Sequence, residues 1–467
     1  MVRIPVKLGK YEYDAIQKTA LKDYKGERIG SVSVAPGLLL DRALSNCEKN
    51  DKRLMDMDIY EIIDTFHRAA EIFKRDVFVG GRNMSLEEHI RYVVRTTGMP
   101  SGYIKESMAV IYFYLKNIEV ILKAQSPNYS CNIYNRGFYE RNAKKYGWVR
   151  EGYQVGVVAP SNHPSVHTVW MTALAMKSQI VLRPASDDII SPLRIIQSLL
   201  DAGMPDDMLN FLPGEHELTG RILSRVQKGI MFGSQQIIDV YKKMYPYVKY
   251  YGPGSSKVFV DVEEYSDMKK NVNHIVNGVM SYGGKGCVSL SAAIFSRDGY
   301  VIADEVAKEL AAFEIRDPLD RGAVLPAVKD VGMAYGLIRY VKIMEDMGAV
   351  NLSAKYTSGE FVIQQDGAFY IRPIVLYMES NHPMFGIELP FPFVTITTVE
   401  KSKVTPLLRN SLALSLLSDD KELYESVLKD SSIAKIHTGY TENVYDIDPE
   451  KSFEGYMSEY LFKFKSV

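Results

Sequence analysis

Cysteine is scarce in this chain: Cys47, Cys131 and Cys287 are the only three among 467 residues. That excludes a disulfide framework and points to a reducing, cytoplasmic setting. Neither charge is in surplus, since 56 lysines and arginines face 57 aspartates and glutamates. Without a basic excess, no nucleic-acid partner is expected. Long apolar runs are missing too. The most apolar window, 107–124, contains Lys116 and Glu119 and reads as a core helix rather than a transmembrane segment. Residues 1–7 carry no apolar stretch of the kind that leads a secreted chain, so no signal peptide is expected. The eight histidines are scattered. His163 and His167 lie four apart, but no third ligand accompanies them, so no metal site is expected.

What remains is an ordinary globular composition in a chain long enough for two or three domains. Residues 1–50 read as short strands and turns, and 55–125 as mostly helical. From 151 the pattern alternates. Strands are expected over 154–159, 179–183, 208–212 and 229–232, with helices over 164–177, 189–202 and 216–226 and another opening at Ser234. This alternation implies an α/β fold with a doubly wound parallel sheet, whose ligands bind at the carboxyl ends of the strands. A second alternating block follows Gly252-Pro253-Gly254, with strands over 257–260, 373–378 and 393–398 and helices over 268–280 and 301–313. The domain boundary is placed near Tyr251-Gly252.

Cys287 stands between the two characters of this second block. Ser281-Tyr282-Gly283-Gly284-Lys285-Gly286 before it is glycine-rich, and Val288 to Phe295 after it reads as a buried strand. A thiol between a tight turn and a core strand is rigid yet reachable from a cleft, as a nucleophile must be. A buried structural cysteine is the alternative. Lys285 either lowers the thiol pKa or is a solvated loop lysine.

Four loops at strand ends offer further chemistry. In Pro160-Ser161-Asn162-His163-Pro164, Asn162 is either a helix N-cap or a donor aimed at a developing oxyanion. In Arg183-Pro184-Ala185-Ser186, the arginine either meets phosphate or ribose or is a solvated strand-end charge. Pro213-Gly214 and Gly220 bracket the next helix. In Phe232-Gly233-Ser234, backbone N–H groups and a hydroxyl make a small anion site at a helix start.

Taken in order, these motifs resemble the aldehyde dehydrogenase superfamily over roughly residues 150–460. Pro160 to Pro164 is similar to its P-W-N-x-P loop, Ile180-Val181-Leu182-Arg183-Pro184 to V-V-L-K-P, and Gly203-Met204-Pro205 to G-x-P. Asn210-Phe211-Leu212-Pro213-Gly214 with Gly220 is similar to N-x-x-P-G and its later glycine, and Gly284-x-x-Cys287-x-x-x-Ser291 to the nucleophile segment. Pro373-Ile374-Val375, Phe385-Gly386, Leu389-Pro390 and the run from Asn410 to Ser415 fit later landmarks; Phe453-Glu454-Gly455-Tyr456 echoes P-F-G-G only loosely.

The resemblance implies two parallel-sheet, doubly wound domains with a small oligomerisation extension. Residues 1–251 would hold the N-terminal helical region and a Rossmann-like NAD(P)-binding domain. Residues 252–440 would form the catalytic domain, and 126–150 with 441–467 the segments that assemble a homodimer or homotetramer. It implies Cys287 and Asn162 as catalytic residues. Ser161, Arg183, Pro184, Ser186, Gly214, Gly220, Gly233, Ser234 and Phe385 would bind NADP or NAD.

The departures matter as much. Tyr250 stands where the hydrolytic members place the glutamate that activates water, and a phenol is a poor base at neutral pH. Arg183 and Ser186 replace a lysine and a glutamate, which favours acceptance of a 2′-phosphate. Pro383 replaces the glutamate that holds the nicotinamide ribose, with Glu388 close by. The expected activity is therefore an NAD(P)-dependent acyl-CoA reductase or CoA-acylating aldehyde dehydrogenase, with an aldehyde or acyl thioester as substrate and CoA as co-substrate. The alternatives are a hydrolytic aldehyde dehydrogenase with a base recruited elsewhere and a nucleotide-binding scaffold without activity.

Overall fold

The computed structural model describes residues 1–45, 47–441, 448–452 and 454–466. Residues 126–150 and 441–467, read above as assembly segments, fall within this range except for 442–447, Phe453 and Val467, which lie outside the described residues.

Two seven-stranded sheets organise the molecule. Across the first sheet run Val248–Tyr251, Lys228–Phe232, Gln154–Val158, Gln179–Arg183 and Leu209–Phe211, all parallel. The apolar runs of the three central strands are buried along their length, as strands covered on both faces require. The chain winds outward from Gln154–Val158 in one direction, then returns and winds in the other. The switch point lies between the ends of Gln154–Val158 and Lys228–Phe232, where a crevice opens.

The N-terminus extends this sheet, an addition that the reading of parallel strands does not contain. Val6–Leu8 joins Leu209–Phe211 antiparallel, and Tyr11–Tyr13 completes the edge as a hairpin. Lys7 is buried there because its ammonium reaches Glu12 Oε1 and Gln197 Oε1, both at 2.8 Å. Local alternation in so short a strand carries no sign of its distant partner.

The helix expected over 164–177 is shorter. A 3₁₀ turn, Pro164–His167, leads into Thr168–Ala175. Lys177 then takes a left-handed φ of 64°. Its buried ammonium donates to Met57 O at 2.8 Å and Asn135 Oδ1 at 2.9 Å, so tertiary bonds end the helix before its pattern does.

The second sheet is ordered Val350–Asn351, Ile374–Tyr377, Phe393–Thr398, Leu290–Phe295, Ser256–Val260, Ser411–Leu417, Ile433–Thr438. All neighbours are parallel except Val350–Asn351. The N-terminal helices Ile59–Phe73, Leu86–Thr97 and Ser101–Lys116 pack on the helices that flank the first sheet, chiefly Ile190–Asp201 and the turn Pro164–His167. Arg194, fully buried on helix Ile190–Asp201, ties them down through Phe73 O, Arg75 O and Met84 O. A small antiparallel sheet pairs Phe462–Ser466 with Lys144–Arg150 and that with Phe138–Arg141. Trp148 stacks on Phe462 at 4.1 Å across it. Among the described residues no helix is long and apolar enough to cross a membrane.

Candidate active site

The turn before Cys287 is wound in the left-handed region, with φ of 46° at Tyr282, 63° at Gly283 and 72° at Gly284. At Gly284 a Cβ would lie 2.3 Å from Pro392 N and 2.4 Å from Phe391 C, so only glycine fits. Ser289 Oγ accepts from Gly286 N–H at 3.1 Å and donates to Ser281 O at 2.7 Å, closing the loop on itself. This is why the following strand starts at Leu290 and not at Val288 as its apolar run suggests. The Cys287 carbonyl accepts from Ser256 Oγ at 3.0 Å, and a Cβ on Gly254 would approach that carbonyl oxygen to 1.7 Å. The backbone around the thiol is thereby fixed, while the residue stays partly exposed to a cavity of about 1460 Å³.

That cavity runs along the crevice of the first sheet. Ser161, Asn162, Arg183, Pro184, Ser186, Gly214, Gly233 and Ser234 line it together with Cys287. Gly220 and Phe385 do not. Gly220 sits inside helix His216–Leu223, with its carbonyl facing Tyr245 Oη at 3.4 Å, and Phe385 packs into the apolar core beneath the second sheet.

At the nucleotide end, Arg183 is buried with Nε donating to Glu215 O at 3.2 Å. No carboxylate among the described residues pairs with it, and burial holds its pKa below the usual arginine range. Ser234 is the N-cap of helix Gln235–Met244, and its hydroxyl caps no N–H of that helix. A buried cation without a counter-charge and the free amide end of a ten-residue helix suit the phosphates of a dinucleotide.

At the thiol end, Asn162 presents its carboxamide with Oδ1 buried and unpartnered, so it is not spent as an N-cap; the turn that follows takes its N-cap from His163 without a side-chain bond. The imidazole of His163 stacks on Tyr282 with centroids 4.4 Å apart and planes 15° from parallel. Its Nδ1 meets Ser165 Oγ at 2.6 Å. Burial pushes the His163 pKa down to about 4, so the ring is neutral. His167 Nδ1 accepts from Trp170 Nε1 at 3.0 Å. Among the described residues no three His, Cys, Asp or Glu side chains are grouped to hold a metal.

Tyr250 points away from the thiol and donates to Tyr245 O at 2.9 Å. Tyr251 is the residue that faces the cavity from this strand, with its ring stacked on Phe232 at 4.7 Å. No carboxylate is offered by this strand end, but several line the cavity from elsewhere, and two of them, Glu388 and Glu454, act on the charge of the Cys287 thiol. Glu388 is raised to about 7 by burial, against the pull of two N–H groups that its Oε2 accepts, from Gly254 at 2.7 Å and Ser255 at 3.2 Å. Glu454 is raised to about 7 by burial, with the nearby Lys249 ammonium opposing. That ammonium bonds the Glu454 carbonyl at 3.2 Å, and nothing among the described residues donates to the Glu454 carboxylate.

The Cys287 thiol is pushed well above its ordinary range by burial and then by the charges of Glu454 and Glu388. The backbone N–H groups of Cys287 and Val288 face the sulfur and favour the thiolate. Lys285 lines the cavity but is not among the groups acting on the thiol; it sits near Asp187 and Lys329. Of the two readings of Lys285, a role in lowering the thiol pKa finds no support in this arrangement, and burial rather than solvation marks the side chain. Sequence reasoning also missed Glu454 as a cavity residue, because nothing in its local pattern reports a neighbour so distant along the chain.

The chain resembles several characterised proteins. It is 30% identical to malonate-semialdehyde dehydrogenase 3 of Geobacillus kaustophilus over 211 residues, 42% of this chain and 43% of that protein. It is 25% identical to the mitochondrial delta-1-pyrroline-5-carboxylate dehydrogenase of Dictyostelium discoideum over 319 residues, 65% of this chain and 55% of that protein. The matches thus span about half the length of these relatives. The fold superposes on a point mutant of an aldehyde dehydrogenase from Bacillus cereus with a TM-score of 0.81 at 15% identity, covering 100% of this chain and 96% of that one. A NAD+ complex of aldehyde dehydrogenase from the same organism gives 0.79 at 16% identity, with the same coverage. The family model for the aldehyde dehydrogenases matches residues 16–456, and the chain belongs to that family of oxidoreductases that act on aldehydes with NAD(P).

Proposed function

We propose that this protein oxidises an aldehyde with NAD(P) and releases the acyl group to water, with Cys287 as nucleophile, Asn162 as oxyanion donor and Glu454 as general base. The observation that carries this reading is the Glu454 carboxylate. It lines the cavity of the thiol, acts on that thiol's charge, titrates at about 7 and accepts no hydrogen bond from the described residues. A base poised near the working pH is what proton transfer to and from a reacting centre needs. The expectation of transfer to CoA rested on the missing carboxylate at the strand end, and a carboxylate supplied by a later segment removes that reason.

In this scheme Glu454 takes the proton of the Cys287 thiol, and the sulfur adds to the aldehyde carbon. The alkoxide oxygen is held by the Asn162 amide and by backbone N–H at Cys287. A bound nicotinamide supplies the hydride acceptor. Glu454, having passed its proton to solvent, then removes a proton from water as the water oxygen attacks the acyl thioester. The tetrahedral adduct is stabilised by the same donors and breaks its C–S bond, giving the carboxylic acid and the thiolate. Glu388 is less suited to this work because one oxygen already accepts two backbone N–H groups.

For the cofactor, Ser234 and the helix start would hold phosphate, and Arg183 with Ser186 would accept a 2′-phosphate as well as a free ribose. The test is aldehyde turnover with NAD+ or NADP+ in the complete absence of CoA. The reading expects sustained NAD(P)H formation with one free acid per reduced cofactor. Turnover that stops after one equivalent and resumes on adding CoA would restore the acylating reading.

A further inference from the structure

Tyr282 is a bulky residue in left-handed backbone, at φ 46° and ψ 33°. Such a conformation persists only where the surroundings fix it. Three contacts do so. One face of the ring lies on the His163 imidazole. Tyr103 stands 6.0 Å from it, itself anchored by donating to Met280 O at 2.7 Å. The third is Gly286, directly before the nucleophile, where an added Cβ would meet Tyr282 Cδ2 at 3.1 Å. The ring is therefore seated between the residue after Asn162 and the residue before Cys287.

His163 is held in its place by burial and by Ser165. It is neutral, its Nδ1 is engaged by Ser165 Oγ, and the Ser165 hydroxyl also serves the Tyr282 phenol. What the imidazole offers the site is a flat surface.

We propose that the stack of His163 on Tyr282 is the element that holds the Asn162 loop and the Cys287 turn in register, which makes both rings positioning residues for the acyl chemistry. The proposal rests on the reading of Cys287 as nucleophile and Asn162 as oxyanion donor. The two loops belong to different sheets, so without a link their separation would follow any relative movement of the two. A shift of about 1 Å between nucleophile and oxyanion donor is enough to cost roughly 100-fold in rate.

The test compares His163→Ala, His163→Phe and Tyr282→Asn, the last chosen because asparagine tolerates left-handed backbone while removing the ring. The proposal expects His163→Ala to lower kcat by roughly 10- to 100-fold while KM and the Kd for NAD(P)+ move less than about threefold. His163→Phe, which keeps the flat face, restores kcat to within about threefold of the parent. The double variant His163→Ala with Tyr282→Asn is no slower than the worse single variant, since the two act as one unit. Thermal unfolding of each variant confirms that folded protein is compared. Parental kcat in His163→Ala, failure of phenylalanine to rescue, or additive losses in the double variant would each overturn the stack proposal. Cys287→Ser in the same assay separates this from the underlying reading: turnover retained there removes the nucleophile and the stack's purpose with it. Turnover lost there alongside a fully active His163→Ala overturns the stack alone.

Discussion

The two ends of the long cavity are built differently. The end proposed to hold the nucleotide is made at neighbouring strand termini of one sheet, from Ser161, Arg183, Gly214 and Ser234, each at or just past the end of its own strand. The thiol end draws Asn162 from the first sheet, Cys287 from the second, Glu388 from the loop before Phe393–Thr398, and Glu454 from the C-terminal segment. Binding a dinucleotide needs helix starts and strand ends, which the fold supplies wherever the switch point falls. Acyl chemistry needs particular atoms at particular separations, and those can be delivered from any segment that reaches the thiol. On the proposed reading the base comes from the C-terminal segment instead of the strand end, and the nucleotide end is left undisturbed.

The largest expected effect divides the two ends most sharply. Cys287→Ala should reduce turnover by more than about 10³-fold, while the Kd for NAD(P)+ stays within about twofold, measured by fluorescence titration. Weakened cofactor binding of similar size would show that the ends are not separable. Next, Glu388→Gln should cost kcat less than about tenfold, against about 100-fold or more for Glu454→Gln, because a glutamine still accepts the Gly254 and Ser255 N–H groups. Equal losses would mean that the base is not distinguished by its freedom from hydrogen bonds. At the other end, Arg183→Ala should raise the Kd for NADP+ roughly tenfold and that for NAD+ by much less, with kcat nearly unchanged, since a charge-assisted pair with phosphate is worth about 1.5–3 kcal/mol.

The remaining effect is on stability. Burial raises the Glu454 carboxyl to about 7, above its unfolded value near 4.3, so the native state binds the extra proton between those pH values. Its contribution is fully present below about pH 4 and is lost as pH rises through about 7. The decline amounts to roughly 4 kcal/mol. Denaturation of Glu454→Gln against the parent isolates this slope from the opposite one contributed by His163, which is lowered to about 4 by burial. A difference that does not change between about pH 4.5 and 7.5 would contradict the buried carboxyl.

How much was legible follows the same division. Alternating apolar strands and glycine turns between 151 and 260 announced the first sheet, the switch-point loops and most of the strand-end residues that line the cavity. Each of those features is local, and backbone chemistry needs only a few adjacent residues. Cys287 was legible for the same reason, between its turn and its strand. The N-terminal hairpin on the sheet edge was not, because Lys7 looks exposed until Glu12 and Gln197 meet it. Which of Tyr250 and Tyr251 faces the cavity was not legible either, because the motif does not say which face of the strand each takes, and it is Tyr251 that lines it. Glu454 was hidden because its role depends on proximity across folded segments and on desolvation, neither of which leaves a local mark.

The most direct test of the central claim is rapid-mixing kinetics of Glu454→Gln with saturating aldehyde and NAD(P)+, with intact-protein mass measured at the end of the first phase. The account predicts a burst of about one NAD(P)H per site, slower than in the parent because the thiol also loses its base. A much slower steady state should follow, with an acyl adduct on Cys287. A steady state as fast as the parent's, with no adduct accumulating, would contradict it.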